Sequence, residues 1–265
     1  MKKIFKLVNS IKLNWGIKTW VRNRFDLAEY FIENKLIYPV FKKFERHIYH
    51  KIVSHYGADY KWGEQRSQNL RKTSYGYGLF HYTMIRNQKP KRILCLGSMY
   101  GYIPYMMAKA CEDNGYGHVD FVDAGYDLES GLDPHVHFFG QGFWPKTDLK
   151  KHFSYFLDSK YISTHLMKTA EFAQKTTQTY DYVYLDADHS YLGAKSDVLN
   201  FWPKLNSEGY LVFHDIHFQK TLHGVDFEFW KIWAEMSNQP FKLEVSNHYS
   251  GLGIIQKLGS QKLPW

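Results

Sequence analysis

The chain has 265 residues, 44% of them hydrophobic and 18% aromatic, which is enough apolar side chain for a folded core and excludes a largely disordered protein. Its two cysteines, Cys95 and Cys111, exclude a disulfide framework and indicate a reducing compartment, the cytoplasm. The formal charge of +8 is unevenly distributed. Positions 1–51 hold twelve of the 34 basic residues but four of the 26 acidic ones, so this segment accounts for the whole excess.

Residues 1–60 are predicted to form a basic, amphipathic helical appendage. Ile4, Val8, Ile11 and Trp15 recur at helical spacing, with lysines beside this apolar face. Lysines interrupt every apolar run, so neither a signal peptide nor a membrane span of about 18 apolar residues is expected. Two interpretations stay open: the helix packs on the parent domain or on a second subunit of a homo-oligomer, or residues 1–25 lie peripherally on an anionic membrane. Nucleic acid is not an expected partner, because no recognition motif accompanies the charge.

Residues 61–265 are predicted to form the main domain, of the α/β class. A short apolar strand ends at Leu96, and a helix is expected from Tyr102 or Ile103 to about Glu112. Further strands are predicted to end at Asp123 and just before Asp186 and His214. Apolar strands that alternate with helices indicate a doubly wound, Rossmann-like parallel sheet.

Polar residues and glycines follow the predicted strands at their carboxyl ends, where a doubly wound sheet binds its ligands. Glycine allows the backbone to approach a ligand closely, and a helix that starts there offers free N–H groups. A carboxylate after the second strand can accept two hydrogen bonds from a ribose diol, although it could equally cap a turn. The residues in question are Gly97, Ser98, Gly101, Asp123, Asp186, Asp188, His189, His214 and Asp215.

Four segments carry a resemblance to a known family over roughly Gly63–Lys257. The segments ILCLGSMYGYIP, VDFVDAGYD, DYVYLDADHSYLGAKSDVLNFWPKLNSEGYLVFHDI and SGLGIIQK together resemble class I S-adenosylmethionine-dependent methyltransferases. The nearest type is the small-molecule and sugar O-methyltransferase group that includes the macrocin O-methyltransferase-like enzymes. This resemblance implies a seven-stranded sheet whose last two strands, in FKLEVSN and LGIIQKL, form a hairpin with one antiparallel strand.

The resemblance also implies where S-adenosylmethionine binds: at Gly97, Ser98, Gly101 and Asp123. The chain departs from the family pattern in two places. Cys95 and Leu96 precede the glycines where relatives often have an acid, and Met99 replaces a frequent middle glycine. Backbone near Gly97 or the Ser98 side chain is then expected to take over the contact to the methionine amino group.

A divalent metal, Mg²⁺ or Mn²⁺, is implied at the positions that match the family's metal-binding acids. These positions are Asp186 and Asp215, and His214 stands where some relatives have a further carboxylate. Two carboxylates directed at one point repel each other unless a cation or a shared proton lies between them. Carboxylate oxygens suit Mg²⁺, and a histidine in the set admits a softer ion such as Mn²⁺.

The expected reaction is O-methylation of a small polar acceptor, a sugar hydroxyl of a glycan or secondary metabolite. His189 is the preferred general base, because imidazole titrates near neutral pH. Asp188 would orient His189 or act as base itself, and Asp186 completes the catalytic set. Two structural alternatives stay open, in which His189 is a supporting residue and Asp188 caps the following helix.

Two other functions are considered. An NAD(P)-dependent oxidoreductase would require G-x-G-x-x-G, which Ser98, Met99 and Tyr100 do not supply. A non-catalytic, membrane-associated binding module would not require acids at the strand ends. Residues 139–148 are predicted to form a lid or a sugar-stacking surface, or simply to pack as a loop, and residues 74–78 to precede the first helix of the domain.

Overall fold

The computed structural model describes residues 76–98, 100–125, 147–154, 157–222, 225–245, 250–259 and 261–265, together with Ile52 and Trp144. The chain divides into two compact units, Met1–Ile52 and Val53–Trp265. The elements below all belong to the second unit. The predicted amphipathic helix of residues 1–25 lies outside the described residues, and the domain boundary after residue 60 stays a prediction.

Helices and strands alternate along the described chain. The helices are α1 (Gly76–Gln88), α2 (Tyr102–Asn114), α3 (Leu149–Phe153), α4 (Thr169–Lys175), α5 (Tyr191–Phe201) and α6 (Phe229–Glu235), with 3₁₀ turns at Ser159–Tyr161 and Met236–Asn238. The strands are β1 (Arg92–Leu96), β2 (His118–Asp123), β3 (Ile162–Leu166), β4 (Tyr180–Leu185), β5 (Leu205–Phe213), β6 (Thr221–Leu222), β7 (Val225–Asp226), β8 (Lys242–Val245) and β9 (Leu252–Gln256).

Seven strands form one sheet in the order β3-β2-β1-β4-β5-β9-β8. The first five are parallel, and β9 runs antiparallel to both of its neighbours, β5 and β8. This confirms the predicted Rossmann-like, seven-stranded sheet with a C-terminal hairpin. The strand order reverses between β1 and β4, and ligands of doubly wound sheets bind at such a switch point.

The centre of the sheet is apolar on both faces, as expected of a parallel sheet covered by helices. The side chains of β1 from Ile93 to Leu96 and those of β4 from Tyr182 to Leu185 are buried. Helix α2 lies between Gly101 and Gly115, both in the left-handed conformation. Its predicted start is confirmed, and its last residue, Asn114, lies two residues later than predicted. The polar residues that follow these strands are thus carried by a rigid core.

The structure differs from the predictions in two segments that were expected to be loops. Residues 76–78 do not precede the first described helix but form its first turn, because Gly78 lets α1 pack closely on the Tyr102 ring of α2. Within residues 139–148, Trp144 is buried and packs against Phe121 and Phe153, so this residue serves packing rather than a sugar-stacking surface. No helix in the described part of the chain has the length and apolar character needed to cross a bilayer.

We predict that Gly97→Ala destabilises the fold far more than Gly115→Ala does. Both glycines have a positive φ, +77° and +64°. A Cβ at Gly115 would meet no atom within 4 Å, whereas at Gly97 it would lie 2.1 Å from the Asp186 carbonyl oxygen. We expect Gly115→Ala to cost about 1 kcal/mol of unfolding free energy and Gly97→Ala at least about 3 kcal/mol in urea titrations. Equal losses for the two variants would contradict this packing argument.

Candidate active site

The first part of the site is the turn after β1 together with the end of β2. Gly97 N–H donates to the Val122 carbonyl at 2.8 Å, which ties the turn to β2. Asp123 accepts hydrogen bonds from the backbone N–H groups of Ser98 at 3.2 Å and Gly125 at 2.9 Å. The structure therefore brings the predicted ribose-binding carboxylate next to the glycine turn.

Two aromatic residues, Trp144 and Phe153, lie against this turn and the start of α2. Trp144 donates its indole N–H to the Ser98 carbonyl at 3.3 Å, and the Ser98 side chain is buried. Gly101 has a φ of +85°, and a Cβ there would lie 2.8 Å from the rings of Trp144 and Phe153. Glycine at position 101 thus permits the close approach of an aromatic layer to the start of α2.

Asp123 has an altered acidity. Burial raises its pKa to about 6, against the effect of the two backbone hydrogen bonds, which lower it. A carboxyl with this pKa is ionised at neutral pH and protonated in mild acid, and only the ionised form offers all its lone pairs to a diol.

The second part of the site is a cluster of four side chains at the ends of β4 and β5. Asp186, His189, His214 and Asp215 each place one ligand atom within 4.8 Å of the others. His189 Nε2 lies 3.3 Å from Asp186 Oδ1 and 3.2 Å from Asp215 Oδ2. His214 Nδ1 lies 2.8 Å from Asp186 Oδ1 and 3.5 Å from Asp215 Oδ1.

The two imidazoles offset the cost of placing two carboxylates together. Burial alone would raise the pKa of Asp186 and of Asp215, but the nearby His214 and His189 hold both below the ordinary value. Burial likewise disfavours protonated His189, yet its hydrogen bonds to Asp186 and Asp215 raise its pKa to about 9. In this geometry His189 is protonated at neutral pH, which is not the near-neutral titration expected from the sequence.

Asp188 lies apart from this cluster. It is exposed, and its Oδ1 accepts a hydrogen bond from the Ser190 backbone N–H at 2.9 Å. Ser190 in turn caps α5 by accepting from the Gly193 N–H. The residue that caps α5 is therefore Ser190, and Asp188 only accepts from the Ser190 N–H. The role of Asp188 as a base stays a prediction.

The structure adds residues that the sequence analysis missed. Tyr184 donates its hydroxyl to Asp186 Oδ2 at 3.2 Å. Ser250, in the turn that precedes β9, contacts both His214 and Asp215. Phe227 and Phe229 flank the His189 ring, with centroids 4.4 and 5.2 Å away. Tyr184 could have been inferred from the sequence, because it lies two positions before Asp186. No local sequence pattern points to Ser250.

The two parts of the site adjoin each other. Asp186 N–H donates to the Leu96 carbonyl at 2.8 Å, and the Gly97 backbone lies against that of Asp186. The predicted cofactor residues Gly97, Ser98 and Asp123 and the predicted metal residues therefore lie at one edge of the sheet.

A comparison with protein families identifies this arrangement. Residues 94–216, from β1 to just beyond β5, match a family described as a methyltransferase domain. This match agrees with the resemblance to class I S-adenosylmethionine-dependent methyltransferases. An uncharacterized protein of Sinorhizobium fredii is 24% identical over 161 residues, which are 61% of this chain but 16% of that protein. The chain thus spans a small part of the length of that relative.

Solved structures of two O-methyltransferases share the fold of this chain. The O-methyltransferase TomG of Streptomyces achromogenes, in complex with S-adenosylmethionine, is 12% identical, with a TM-score of 0.52 over 80% of this chain and 90% of that one. An O-methyltransferase of Bacillus cereus, in complex with S-adenosylhomocysteine, is 10% identical, with a TM-score of 0.51 over 87% and 97%. The chain therefore has the fold of these O-methyltransferases.

We predict that the affinity of the protein for S-adenosylhomocysteine depends on the ionisation of Asp123. Because the pKa of Asp123 is raised to about 6, binding should be strongest above pH 6 and weaken as the pH falls through 6. Isothermal titration should show an affinity about tenfold lower at pH 5 than at pH 7.5. Asp123→Asn should bind more weakly and without this pH dependence. A flat profile for the wild type, or the same slope in both proteins, would exclude Asp123 as the titrating contact.

Proposed function

We propose that this methyltransferase transfers its methyl group to a hydroxyl oxygen of a small polar acceptor, a sugar hydroxyl, with the help of a divalent cation. The observation that carries the proposal is the cluster of Asp186, His189, His214 and Asp215 beside the Gly97 turn. A neutral hydroxyl is a poor nucleophile, so oxygen methylation requires a group that removes or acidifies its proton. This cluster offers both kinds of group at the predicted cofactor site.

The donor set fits a divalent cation. Asp186, His214 and Asp215 would hold it with two carboxylate oxygens and one imidazole nitrogen, and His189 lies within reach of the same point. Mixed oxygen and nitrogen ligands favour Mn²⁺ or another transition metal over Mg²⁺, which prefers oxygen alone. Such an ion, when bound, lowers the pKa of a coordinated hydroxyl.

The proposed reaction breaks the sulfur–methyl bond of S-adenosylmethionine and forms an oxygen–methyl bond, and the hydroxyl proton passes to the protein. His189 is the proposed acceptor of that proton. Because Asp186 and Asp215 stabilise its protonated form, His189 can accept a proton only when another positive charge engages these carboxylates. Asp188, three positions before α5, remains the alternative base.

Aromatic side chains near the cluster support a ring-shaped acceptor. Phe227 packs on His189, and Phe218 packs on Phe227 with ring centroids 4.9 Å apart. Both phenylalanines are partly exposed, so each retains apolar surface beside the proposed base. The C–H face of a sugar ring can cover such surface while its hydroxyls face the carboxylates. The resemblance to sugar O-methyltransferases agrees with this assignment.

The basic residues 1–25 lead us to propose peripheral contact of a cytoplasmic enzyme with an anionic membrane, where acceptors for glycan synthesis are found. Their lysines and apolar positions are those of an interfacial helix. The competing assignment is that this segment packs on a second subunit. Vesicle cosedimentation with and without anionic lipid separates the two.

The acceptor is tested by methyl transfer from labelled S-adenosylmethionine to a panel of nucleotide sugars, free glycosides and catechols. We expect turnover with a sugar-containing acceptor and a labelled product in which the new methyl group is attached to a sugar oxygen. Turnover of catechols alone would contradict the sugar assignment but retain oxygen methylation. Transfer of the methyl group to an amine or a thiol, with no transfer to any hydroxyl, would contradict both the sugar assignment and oxygen methylation.

We predict that Asp215→Asn loses cation binding while it keeps cofactor binding. The variant removes a charge that faces His189 and His214, so the affinity for Mn²⁺ should fall by more than about 100-fold. The matched control is Asp158→Asn, an exposed aspartate before the Ser159–Tyr161 turn. Titration calorimetry with Mn²⁺ and with S-adenosylhomocysteine provides the two readouts. Equal Mn²⁺ affinity in both variants, or turnover that a chelator does not affect, would remove the metal from the proposal.

A further inference from the structure

Ser250 lies in the turn that leads into β9, outside the set of residues that the family resemblance assigns. Its Oγ lies 3.1 Å from His214 Nε2 and donates a short hydrogen bond to Asp215 Oδ1. One hydroxyl therefore bridges two side chains of the proposed cation site. It contacts His214 on the ring nitrogen opposite to Nδ1, the one that faces Asp186.

The number of available protons determines which atom donates in each of these two hydrogen bonds. A serine hydroxyl has one proton, and an ionised carboxylate can only accept. Because Ser250 gives its proton to Asp215, its oxygen is left to accept from His214, so His214 Nε2 carries a proton. The Nδ1 atom faces Asp186 at 2.8 Å and the proposed cation position. Without a cation Nδ1 donates to that carboxylate, and it offers a lone pair to a cation once it loses this proton.

The backbone holds Ser250 in place on both sides. Its carbonyl accepts from the His217 N–H at 2.8 Å, and the next N–H, that of Gly251, donates to the buried Tyr77 hydroxyl at 2.9 Å. Gly251 has a φ of +77°, and a Cβ there would lie 2.9 Å from Ile216 Cγ1. The position of the hydroxyl is thus imposed by α1 and by the chain after β5, and does not depend on the hydroxyl's own contacts.

We propose that Ser250 is a positioning residue of the cation site, which orients the His214 ring and the Asp215 carboxylate together so that Nδ1 and a carboxylate oxygen face the cation. The inference rests on the proposed function, since it assigns a role toward that cation. Supporting residues of this kind determine the orientation of metal-binding imidazoles, and their loss typically costs about 10–100-fold in metal affinity. A serine that only closed the turn would have no such effect.

The test compares three full-length variants with the wild type. Ser250→Ala removes the hydroxyl, Ser250→Thr retains it, and Ser207→Ala removes an exposed serine hydroxyl that accepts from the Gly259 N–H. We expect Ser250→Ala to bind Mn²⁺ about 10–100-fold more weakly in calorimetry, with unchanged affinity for S-adenosylhomocysteine. Ser250→Thr should restore most of the Mn²⁺ affinity, and Ser207→Ala should match the wild type.

A second readout needs no metal. Long-range ¹H–¹⁵N spectra of the histidine rings should show a protonated Nε2 for His214 in the wild type and in Ser250→Thr. In Ser250→Ala, Nε2 loses its acceptor, so the ring proton should favour Nδ1, which lies 2.8 Å from Asp186 Oδ1. Thermal unfolding of all three variants shows that each is folded before the spectra are compared.

The outcomes separate this inference from the proposed function. If the wild type binds Mn²⁺ and Ser250→Ala binds it equally well, Ser250 has no positioning role, and the metal site stands. If the wild type binds no divalent cation, the proposed metal site is wrong, and the ring-nitrogen spectra decide for or against Ser250. Spectra that are identical in wild type and Ser250→Ala would overturn the positioning role in either case.

Discussion

The close contact between the turn after β1 and the backbone after β4 is the constraint on which the site depends. The turn at Gly97 lies so near Asp186 that no side chain fits between them. This contact places the predicted cofactor residues Ser98 and Asp123 beside Asp186, where the proposed methyl donor and hydroxyl could be brought in line. Alignment of two reactants can contribute on the order of 7–11 kcal/mol to a displacement, but only if their binding groups are held rigidly. Buried strands supply that rigidity here.

The same edge of the sheet concentrates negative charge, which is costly to bury without partners. Asp186 and Asp215 are compensated by two imidazoles and, more weakly, by the hydroxyls of Tyr184 and Ser250. The cluster therefore holds together without a cation, while presenting donor atoms that suit one. A cluster of this kind can fold whether or not an ion binds, unlike a set of bare carboxylates.

The sequence predicted the sheet and the main residues of the site because one rule covers them: parallel strands end at a common edge. Gly97, Asp123, Asp186 and Asp215 all follow from that rule, and the structure brings them to that edge. Ser250 does not follow from it. Strand β9 is antiparallel, with Gly253 opposite Phe213, so its beginning lies where the parallel strands end. Only the pairing partner of β9, which sequence alone does not give, places Ser250 beside His214.

Other differences from the sequence predictions also have tertiary causes. In a strand, residues two apart share a face, so Asp186 and Asp188 would point together if β4 continued. The strand ends at Leu185, and the turn that follows directs Asp188 to the start of α5 instead. Likewise residues 74–78 were predicted to precede the first helix of the domain. Close packing of α1 on α2 overrides the low helix propensity of glycine at Gly78.

The conformation of Asp215 connects the backbone to the chemistry. Its φ of +56° lies in the left-handed region, where glycine is preferred and aspartate is tolerated. A glycine there would relieve the strain but would leave Ser250 without its carboxylate acceptor and His189 with Asp186 as its one remaining carboxylate partner in the described cluster. Strained residues persist where surrounding contacts over-determine them, and such positions cluster at functional sites. Since the turn alone would favour glycine, the carboxylate at position 215 is explained by what it holds in the site rather than by the turn.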